Sequence, residues 1–252
     1  MISVVIPTLN EAERLPALIA ALRAQDSGCE VIVVDGGSGD ATPDLALAQG
    51  ARVLASAPGR GQQLRRGAAA AKGEVLLFLH ADSVFPAGGL ARIEKALAAA
   101  PAVVGGNFRV IFDGGTGFDR WLTRFYAWFR RRGLYYGDSG IFVRAEVYRA
   151  LGGIRPLAVM EDYDFSRRLE RAGPTCCIAE PPLVTSSRRF HGRRPAAIVW
   201  GWLKIHALYH LGVAPARLAR LYDSERRGPG RQDPGGRGPE RQRGPRPAPP
   251  LP

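Results

Sequence analysis

The sequence is short of cysteine, of long apolar runs and of acidic residues relative to basic ones, and each shortage narrows the possibilities. Three cysteines, Cys29, Cys176 and Cys177, two of them adjacent, cannot form a disulfide framework, and no Cys/His spacing suggests zinc. That usage points to a reducing compartment. No apolar run reaches the ~18 residues of a membrane span. The opening Met1-Ile2-Ser3-Val4-Val5-Ile6-Pro7 has neither the basic start nor the small-residue cleavage site of a signal peptide. Collagen, coiled coil, membrane barrel and secreted mini-protein are excluded, and a cytoplasmic protein is expected. Acidic residues number 23 against 35 basic ones, a net charge of +12. Such an excess suits an anionic partner, whether nucleotide diphosphate, anionic membrane surface or nucleic acid, although free use of arginine by a GC-rich genome produces the same balance.

What is present is enough for one large domain. Hydrophobic residues make up 46% of 252, so a core can be buried without staples. The segment 223–252 differs. From Ser224 to Pro252 it is Pro, Gly and Arg, with seven arginines and three acids, so +4 of the charge lies there and +8 in the body. It has too little apolar area to offset the entropy of ordering and is expected to be disordered. It also lacks aromatics for base stacking, so no specific nucleic-acid role is expected. Residues 1–222 form the expected folded domain, with a nucleotide-binding half at about 1–100 and an acceptor half at about 101–222.

The first hundred residues alternate strands and helices. Apolar runs at Ile2–Pro7, Glu30–Asp35, Ala51–Ala55 and Glu74–His80 read as strands. Segments Asn10–Ala24, Thr42–Gln49 and Gly61–Lys72 read as helices, with Pro43 in a first turn and Gly73 as a stop. Short strands apolar on both faces and separated by helices predict an α/β fold, a mostly parallel Rossmann-like sheet with helices on both faces. The second half is more mixed, with strands near Val103–Phe112 and Gly140–Arg144 and helices near Phe118–Arg131 and Glu161–Arg171.

In open α/β sheets, ligands bind beyond the carboxyl ends of the strands. Three strands end there in polar residues: Pro7-Thr8-Leu9-Asn10-Glu11, Asp35-Gly36-Gly37-Ser38-Gly39-Asp40 and His80-Ala81-Asp82. Ordinary loop and cap chemistry explains each cluster singly. It explains less well why all three fall on one edge, where their acids would repel one another unless a cation and a nucleotide lay between them.

At this point the chain resembles the family-2 glycosyltransferases of GT-A fold. The opening Val5–Glu11 and Val33–Thr42 carry the likeness, followed by Gly59-Arg60-Gly61-Gln62-Gln63-Leu64 and Leu77–Asp82. It extends through Tyr136–Phe142, Met160-Glu161-Asp162 and Thr185–Phe190, in the family's order over about residues 1–222. It is similar to the bacterial subgroup described as selenium/radical-SAM-domain-associated transferases. The resemblance implies a metal-dependent, inverting transfer of sugar from a nucleotide diphosphate, a UDP-sugar being favoured, to an acceptor hydroxyl. It places a divalent cation, Mn²⁺ or Mg²⁺, on Asp82, with His80 standing where the family has the first Asp of Asp-x-Asp. Asp35 would accept from the nucleobase and Glu11 would meet the ribose, while Pro7, Thr8, Asn10, Gln63 and Ala81 line the nucleotide pocket. Arg60, at a helix N-terminus, would face phosphate. Asp138 and Ser139 would line the acceptor side, Ser139 replacing a more usual Gln. Arg188 and Arg189 resemble the Arg-aromatic motif on the diphosphate, and His191 is a candidate third metal ligand. The pair Glu161-Asp162 falls at the catalytic position, with Asp162 as general base. Helix macrodipole stabilisation also accounts for acids in a first turn.

Two aromatic segments bear on the acceptor. Phe118–Arg132 interleaves Trp121, Phe125, Trp128 and Phe129 with five arginines, and Pro195–Gly212 carries Trp200, Trp202, Leu203, Ile205, Leu208 and Leu211 beside Lys204 and His206. Both resemble interfacial helices, apolar with a basic rim, which implies a peripheral contact at the inner face of the membrane and a lipid-linked acceptor. Core helices with solvated arginines fit the same pattern. Two other functions compete with the transferase reading. A sugar nucleotidyltransferase should carry its Gly-rich loop after the first strand, whereas Gly59-Arg60-Gly61 follows the third. A non-catalytic relic binding only nucleotide or lipid would fit His80, but not the presence of Asp82, Glu161 and Asp162 together.

Overall fold

The protein is described here as a computed structural model, over residues Met1 to Arg227. The expected disordered tail lies, from 228 onward, outside the described residues. In chain order the elements are β1 (Ile2–Thr8), α1 (Leu15–Arg23), β2 (Cys29–Asp35), α2 (Thr42–Ala48), β3 (Arg52–Ala55), α3 (Arg60–Ala70), β4 (Val75–Phe78) and α4 (Gly89–Ala99). Then come β5 (Gly105–Phe112), α5 (Gly117–Arg130), β6 (Ile141–Arg144), α6 (Ala145–Ala150), α7 (Glu161–Ala172), β7 (Thr175–Thr185), α8 (Pro195–His210) and α9 (Pro215–Arg227). Short 3-10 turns occupy Gly137–Ser139 and Arg188–Phe190. Helix α9 thus carries regular structure past Tyr222, where the sequence suggested that the body ends.

One seven-stranded sheet runs in the order β3-β2-β1-β4-β6-β5-β7. β1 pairs in parallel with β2 and β4, β2 with β3, and β5 with β7, while β6 is antiparallel to both neighbours. Alternating side chains divide the core between the two faces. Val4, Ile6, Val31 and Val33 face one cluster, with Leu15, Leu18, Ile19 and Leu22 of α1 and Leu90, Ile93 and Leu97 of α4. Val5, Ile32 and Val34 face the other, with Leu64 of α3 and Phe165 and Leu169 of α7. Helices therefore cover both faces, as runs apolar on both sides require.

Close approach of α3 to the sheet depends on Gly67. A Cβ there would lie 2.3 Å from Val5 Cγ1 and 2.9 Å from Val34 Cγ2. Gly67→Ala gains about 1 kcal/mol of helix propensity but overpacks this contact at a cost of about 1–3 kcal/mol. We expect a net loss of stability, read as a lower urea midpoint at unchanged m-value.

Three boundaries differ instructively from the sequence reading. The first helix starts at Leu15 and not at Asn10, because Asn10 adopts φ 56° and residues 10–12 are bonded instead to Ser38, Asp40 and Thr42. The fourth strand ends at Phe78 and not at His80: a turn closed by the Ser83 N–H on the His80 carbonyl carries Asp82 away from the sheet. β7 contains Pro181 and Pro182, which mask it as a strand. It lies at the sheet edge, where a missing N–H is tolerated.

Candidate active site

The carboxyl ends of β1, β2 and β4 converge with the starts of α3 and α7 on one edge of the sheet, and two cavities meet there. One, of about 440 Å³, is lined by Pro7, Thr8, Glu11, Arg60, Gln63, His80, Ala81, Asp82, Glu161 and Arg188, together with Leu9, Gly59 and residues of α9. The second, of about 130 Å³, lies between α5 and α8 and is lined by Asp162 and Asp138 among mostly apolar side chains. Arg60 and His80 line both. The fold thus gathers most of the expected site residues from distant parts of the chain.

Arg188 supplies the clearest electrostatic feature of the larger cavity. Its guanidinium lies 2.5 Å from Glu11 Oε1 and 3.3 Å from Asp82 Oδ2, so two carboxylates converge on one cation. Burial opposes the charge of Arg188, but Glu11 and Asp82 outweigh it and hold its pKa above the ordinary value. Glu11 Oε2 is buried with no hydrogen-bond partner. An orphaned carboxylate oxygen beside a second carboxylate is the donor set a hard divalent cation takes when waters or phosphates complete its shell. Among the described residues no cluster of three or more His, Cys, Asp or Glu stands ready to hold a metal. The residues therefore fit a cation that substrate oxygens help to bind.

Arg60, the first residue of α3, reaches α7. Its Nε donates to Glu161 Oε1, and its Nη2 lies 3.3 Å from Asp162 Oδ2. Glu161 is 1% exposed and Asp162 8%. Asp162 Oδ2 also accepts the Gly137 N–H at 2.8 Å, and Oδ1 accepts the Tyr163 N–H at 2.8 Å. Burial disfavours ionisation of Asp162, yet Arg60, the Gly137 N–H and His80 together hold its carboxyl below the ordinary range. Burial dominates at Glu161 and pushes its carboxyl up despite Arg60, with Asp162 adding to the rise. The two neighbouring acids thus differ in character: Asp162 is hydrogen-bonded with its pKa held down, and Glu161, pushed up, anchors Arg60. A Cβ at residue 137 would press on the site, lying 3.0 Å from His80 Nε2 and 3.1 Å from Asp162 Oδ2. Met160, just before α7, holds φ 66°, a strained conformation of a kind that collects at functional sites.

Several expected ligand contacts are engaged in building the site itself. Asp35 accepts the Gly37 and Ser38 N–H groups and the Ser38 and Thr8 hydroxyls, and lines neither cavity. Gln63 donates to the carbonyls of Thr8 and Val34, tying α3 to two strand ends. Asn10 accepts the Gly39 N–H and joins the β1 and β2 loops. Ser139 donates to the Tyr136 carbonyl and lines a separate cavity under α5. His191 is exposed, is bonded to Ser187 and lines neither cavity. Arg189 sits in the turn after β7, and its side chain lies outside the described residues. For Asp35, Gln63, Asn10 and Ser139 the reason is the same: a loop beside a strand must satisfy its own backbone polar groups before it meets a ligand. Tyr136 and Met160 open two of the motifs, and Phe125, Phe129, Trp202, Leu203, Ile205 and His206 were expected on the acceptor side; Tyr126, Val159 and Val199 of the second cavity were not singled out. The i, i+3, i+4, i+7 spacing of Val199, Trp202, Leu203 and His206 was the available signal.

Comparison with known proteins agrees with this architecture. The sequence profile of glycosyl transferase family 2 matches residues 3–151. An uncharacterized glycosyltransferase of Mycobacterium tuberculosis is 35% identical over 111 residues, 44% of this chain and 50% of the relative. Glucosyl-3-phosphoglycerate synthase of the same species is 36% identical over 96 residues, 34% of this chain and 30% of the relative. The chain therefore spans half or less of the length of these curated relatives. Among solved structures, a mannosyltransferase of Pyrobaculum calidifontis in complex with GDP-Man and Mn²⁺ aligns with TM-score 0.61 and 21% identity, over 90% of this chain and 69% of that one. TarS 1–349 of S. aureus in complex with UDP-GlcNAc aligns with TM-score 0.62 and 15% identity, over 88% and 70%. At such identities the likeness concerns the fold, a GT-A glycosyltransferase architecture. No helix among the described residues is long and apolar enough to cross a membrane. With the profile match running over more than half of its 252 residues, and with strand ends, acids and arginines assembled on one edge of a GT-A sheet, this chain belongs to glycosyl transferase family 2.

Proposed function

We propose that the protein transfers a sugar from a nucleoside diphosphate donor, a UDP-sugar, to an acceptor hydroxyl with inversion. The observation that carries the reading is the junction of two unlike cavities at Arg60 and His80: a polar one holding Asp82 and Arg188, and a mostly apolar one holding Asp162. The donor belongs in the first. Arg188 meets the charge of the diphosphate as the bond to the anomeric carbon breaks. A divalent cation, Mn²⁺ or Mg²⁺, held by Asp82 with Glu11 or His80 beside it, supplies further charge neutralisation to the leaving group when bound. Asp162 accepts the proton of the acceptor hydroxyl as its oxygen attacks the anomeric carbon. Glu161 acts as a positioning residue through Arg60. A retaining double displacement needs a second carboxylate on the opposite face of the sugar. Glu161, tied to Arg60, is poorly placed for that, which favours a single inverting displacement.

Calorimetry tests the donor half. UDP is expected to bind in the presence of Mn²⁺, more tightly than GDP. Asp82→Ala should weaken that binding by at least the roughly 10–100-fold that loss of a supporting group at a metal site costs. Metal-independent UDP binding, unchanged in Asp82→Ala, would overturn the assignment of Asp82.

The same reading includes a peripheral contact with an anionic bilayer at the cytoplasmic face. It is supported by the aromatic ladder Phe118-Trp121-Phe125-Trp128 along α5. Exposed Trp200 and Leu203 on α8 and exposed Arg124, Arg131 and Arg132 add to that support. Flotation with anionic liposomes is expected at low salt and should be lost at high salt, because exposed basic charges are screened. Failure to float at low salt overturns it.

A further inference from the structure

The cavity between α5 and α8 has a composition unlike that of the donor cavity. On α5, Phe125, Tyr126 and Phe129 face it; on α8, Val199, Trp202, Leu203 and His206 do, four positions that share one helical stripe. Val159, Met160 and Ile205 complete apolar walls. Its polar groups are largely bonded to one another. Tyr126 donates to Asp138 Oδ2 at 2.9 Å, Tyr136 Oη and His206 Nε2 share a hydrogen bond at 2.9 Å, and Arg60 is held by Glu161 and Asp162. A sugar phosphate or other anionic acceptor would need a cation, and among the described residues the one lysine or arginine lining this cavity, Arg60, is held by Glu161 and Asp162. The volume of about 130 Å³ is comparable with the ~150 Å³ apolar cavity that takes a benzene-sized guest.

We propose that this cavity binds the apolar body of the acceptor, a hydrophobic alcohol about one ring or one branched five-carbon unit wide, with its hydroxyl at Asp162. The proposal rests on the transferase reading and names its acceptor class. An alcohol so placed brings one polar atom to a carboxylate that accepts a proton, and buries the remainder against carbon. Such a pocket discriminates by size: one methylene in an apolar site changes specificity by roughly 10–200-fold.

Ligand-observed NMR titrations of the full chain with glycerol, benzyl alcohol and cyclohexylmethanol test this. Both apolar alcohols are expected to bind at least about tenfold tighter than glycerol. Leu203→Trp, at a position 59% exposed, should erase that margin by filling the cavity without altering the melting temperature. Equal binding of glycerol, or a margin that survives in Leu203→Trp, overturns the proposal. Geraniol offered free and in phosphatidylcholine vesicles, with a UDP-sugar donor, then distinguishes a dissolved acceptor from a lipid one. Transfer to either supports the assignment, and transfer to glycerol alone overturns it. UDP binding is measured in parallel. Alcohol discrimination without UDP binding overturns the donor reading alone, and UDP binding without discrimination overturns the acceptor class alone.

Discussion

Asp162→Asn is expected to lower transfer by about 10²–10⁴-fold while leaving nucleotide affinity intact. The amide keeps the shape of the side chain, and its oxygen still accepts the Gly137 N–H. What it loses is the capacity to take a proton, together with the charge facing Arg60 and, its Nδ2 now standing where Oδ1 was, the acceptance of the Tyr163 N–H. Asp162 lines the acceptor cavity and not the donor cavity, so UDP binding has no reason to change. Initial rates of UDP release, with calorimetric titration of UDP on the same preparation, check this. A variant within tenfold of the parent rate would remove Asp162 from the catalytic role. The pH profile provides a second check. A base acts when ionised, and Arg60, Gly137 and His80 hold this carboxyl below its ordinary value against the effect of burial. The acid limb of kcat/KM for the free enzyme should therefore lie below the ~3.9 of an unperturbed aspartate. Between about pH 5 and about pH 8 Asp162 should impose no slope.

Arg60→Ala is expected to be the most destabilising single change at the site. Arg60 is the cation shared by Glu161 and Asp162, and without it two buried carboxylates face each other. Removing one member of a fully buried ion pair costs about 3–5 kcal/mol. The Arg60 side chain is 37% exposed, so water screens part of the interaction and about 2–4 kcal/mol is the better expectation. For a domain of this size that lowers Tm by about 2–4 °C per kcal/mol. The loss should depend on pH in a definite direction. The Glu161 pKa is raised in the fold, by burial above all, so the folded protein holds that proton more tightly than the unfolded chain. The stability this contributes is full below the unfolded pKa and is lost as pH rises through the folded one. Deleting the guanidinium raises the Glu161 pKa further. The deficit of Arg60→Ala should therefore be largest near pH 8 and narrow toward about pH 5. Adding Glu161→Gln, which removes the uncompensated charge, should restore part of the stability at neutral pH. Thermal melts of the three proteins at both pH values decide it. A deficit of the same size at both pH values would show that Arg60 acts through packing and not through charge.

The strand and helix pattern of the first hundred residues was legible in the sequence because it is locally determined. Alternate residues of β1 and β2 serve two cores, so both strands read as continuous apolar runs. The positions 15, 18, 19 and 22 put one face of α1 on the sheet. The edge that carries the site was legible for the same reason, since polar residues at strand ends mark it wherever the sheet is parallel. Less legible were α4 and α6, which the motifs did not mark, and β7, whose prolines conceal an edge strand.

Residue type and order along the chain were enough to place Asp82, Glu11, Arg60, Arg188 and Asp162 among the candidates. Which of their atoms still face a ligand was decided by contacts between segments far apart in sequence. Glu11 and Arg188 meet across 177 residues and Arg60 and Glu161 across 101. Asp35, Gln63 and Asn10 carry donor and acceptor groups suited to a ligand, and the fold bonds those groups to backbone and to neighbouring loops. The cavity at Asp162 likewise exists only because α5 and α8 bring two apolar stripes together beside it. Periodicity follows from each residue's own preference for water or core, so the sequence alone determined the elements. Satisfaction of hydrogen bonds and enclosure of space are properties of pairs of distant segments, so only the tertiary structure decided the chemistry of the site.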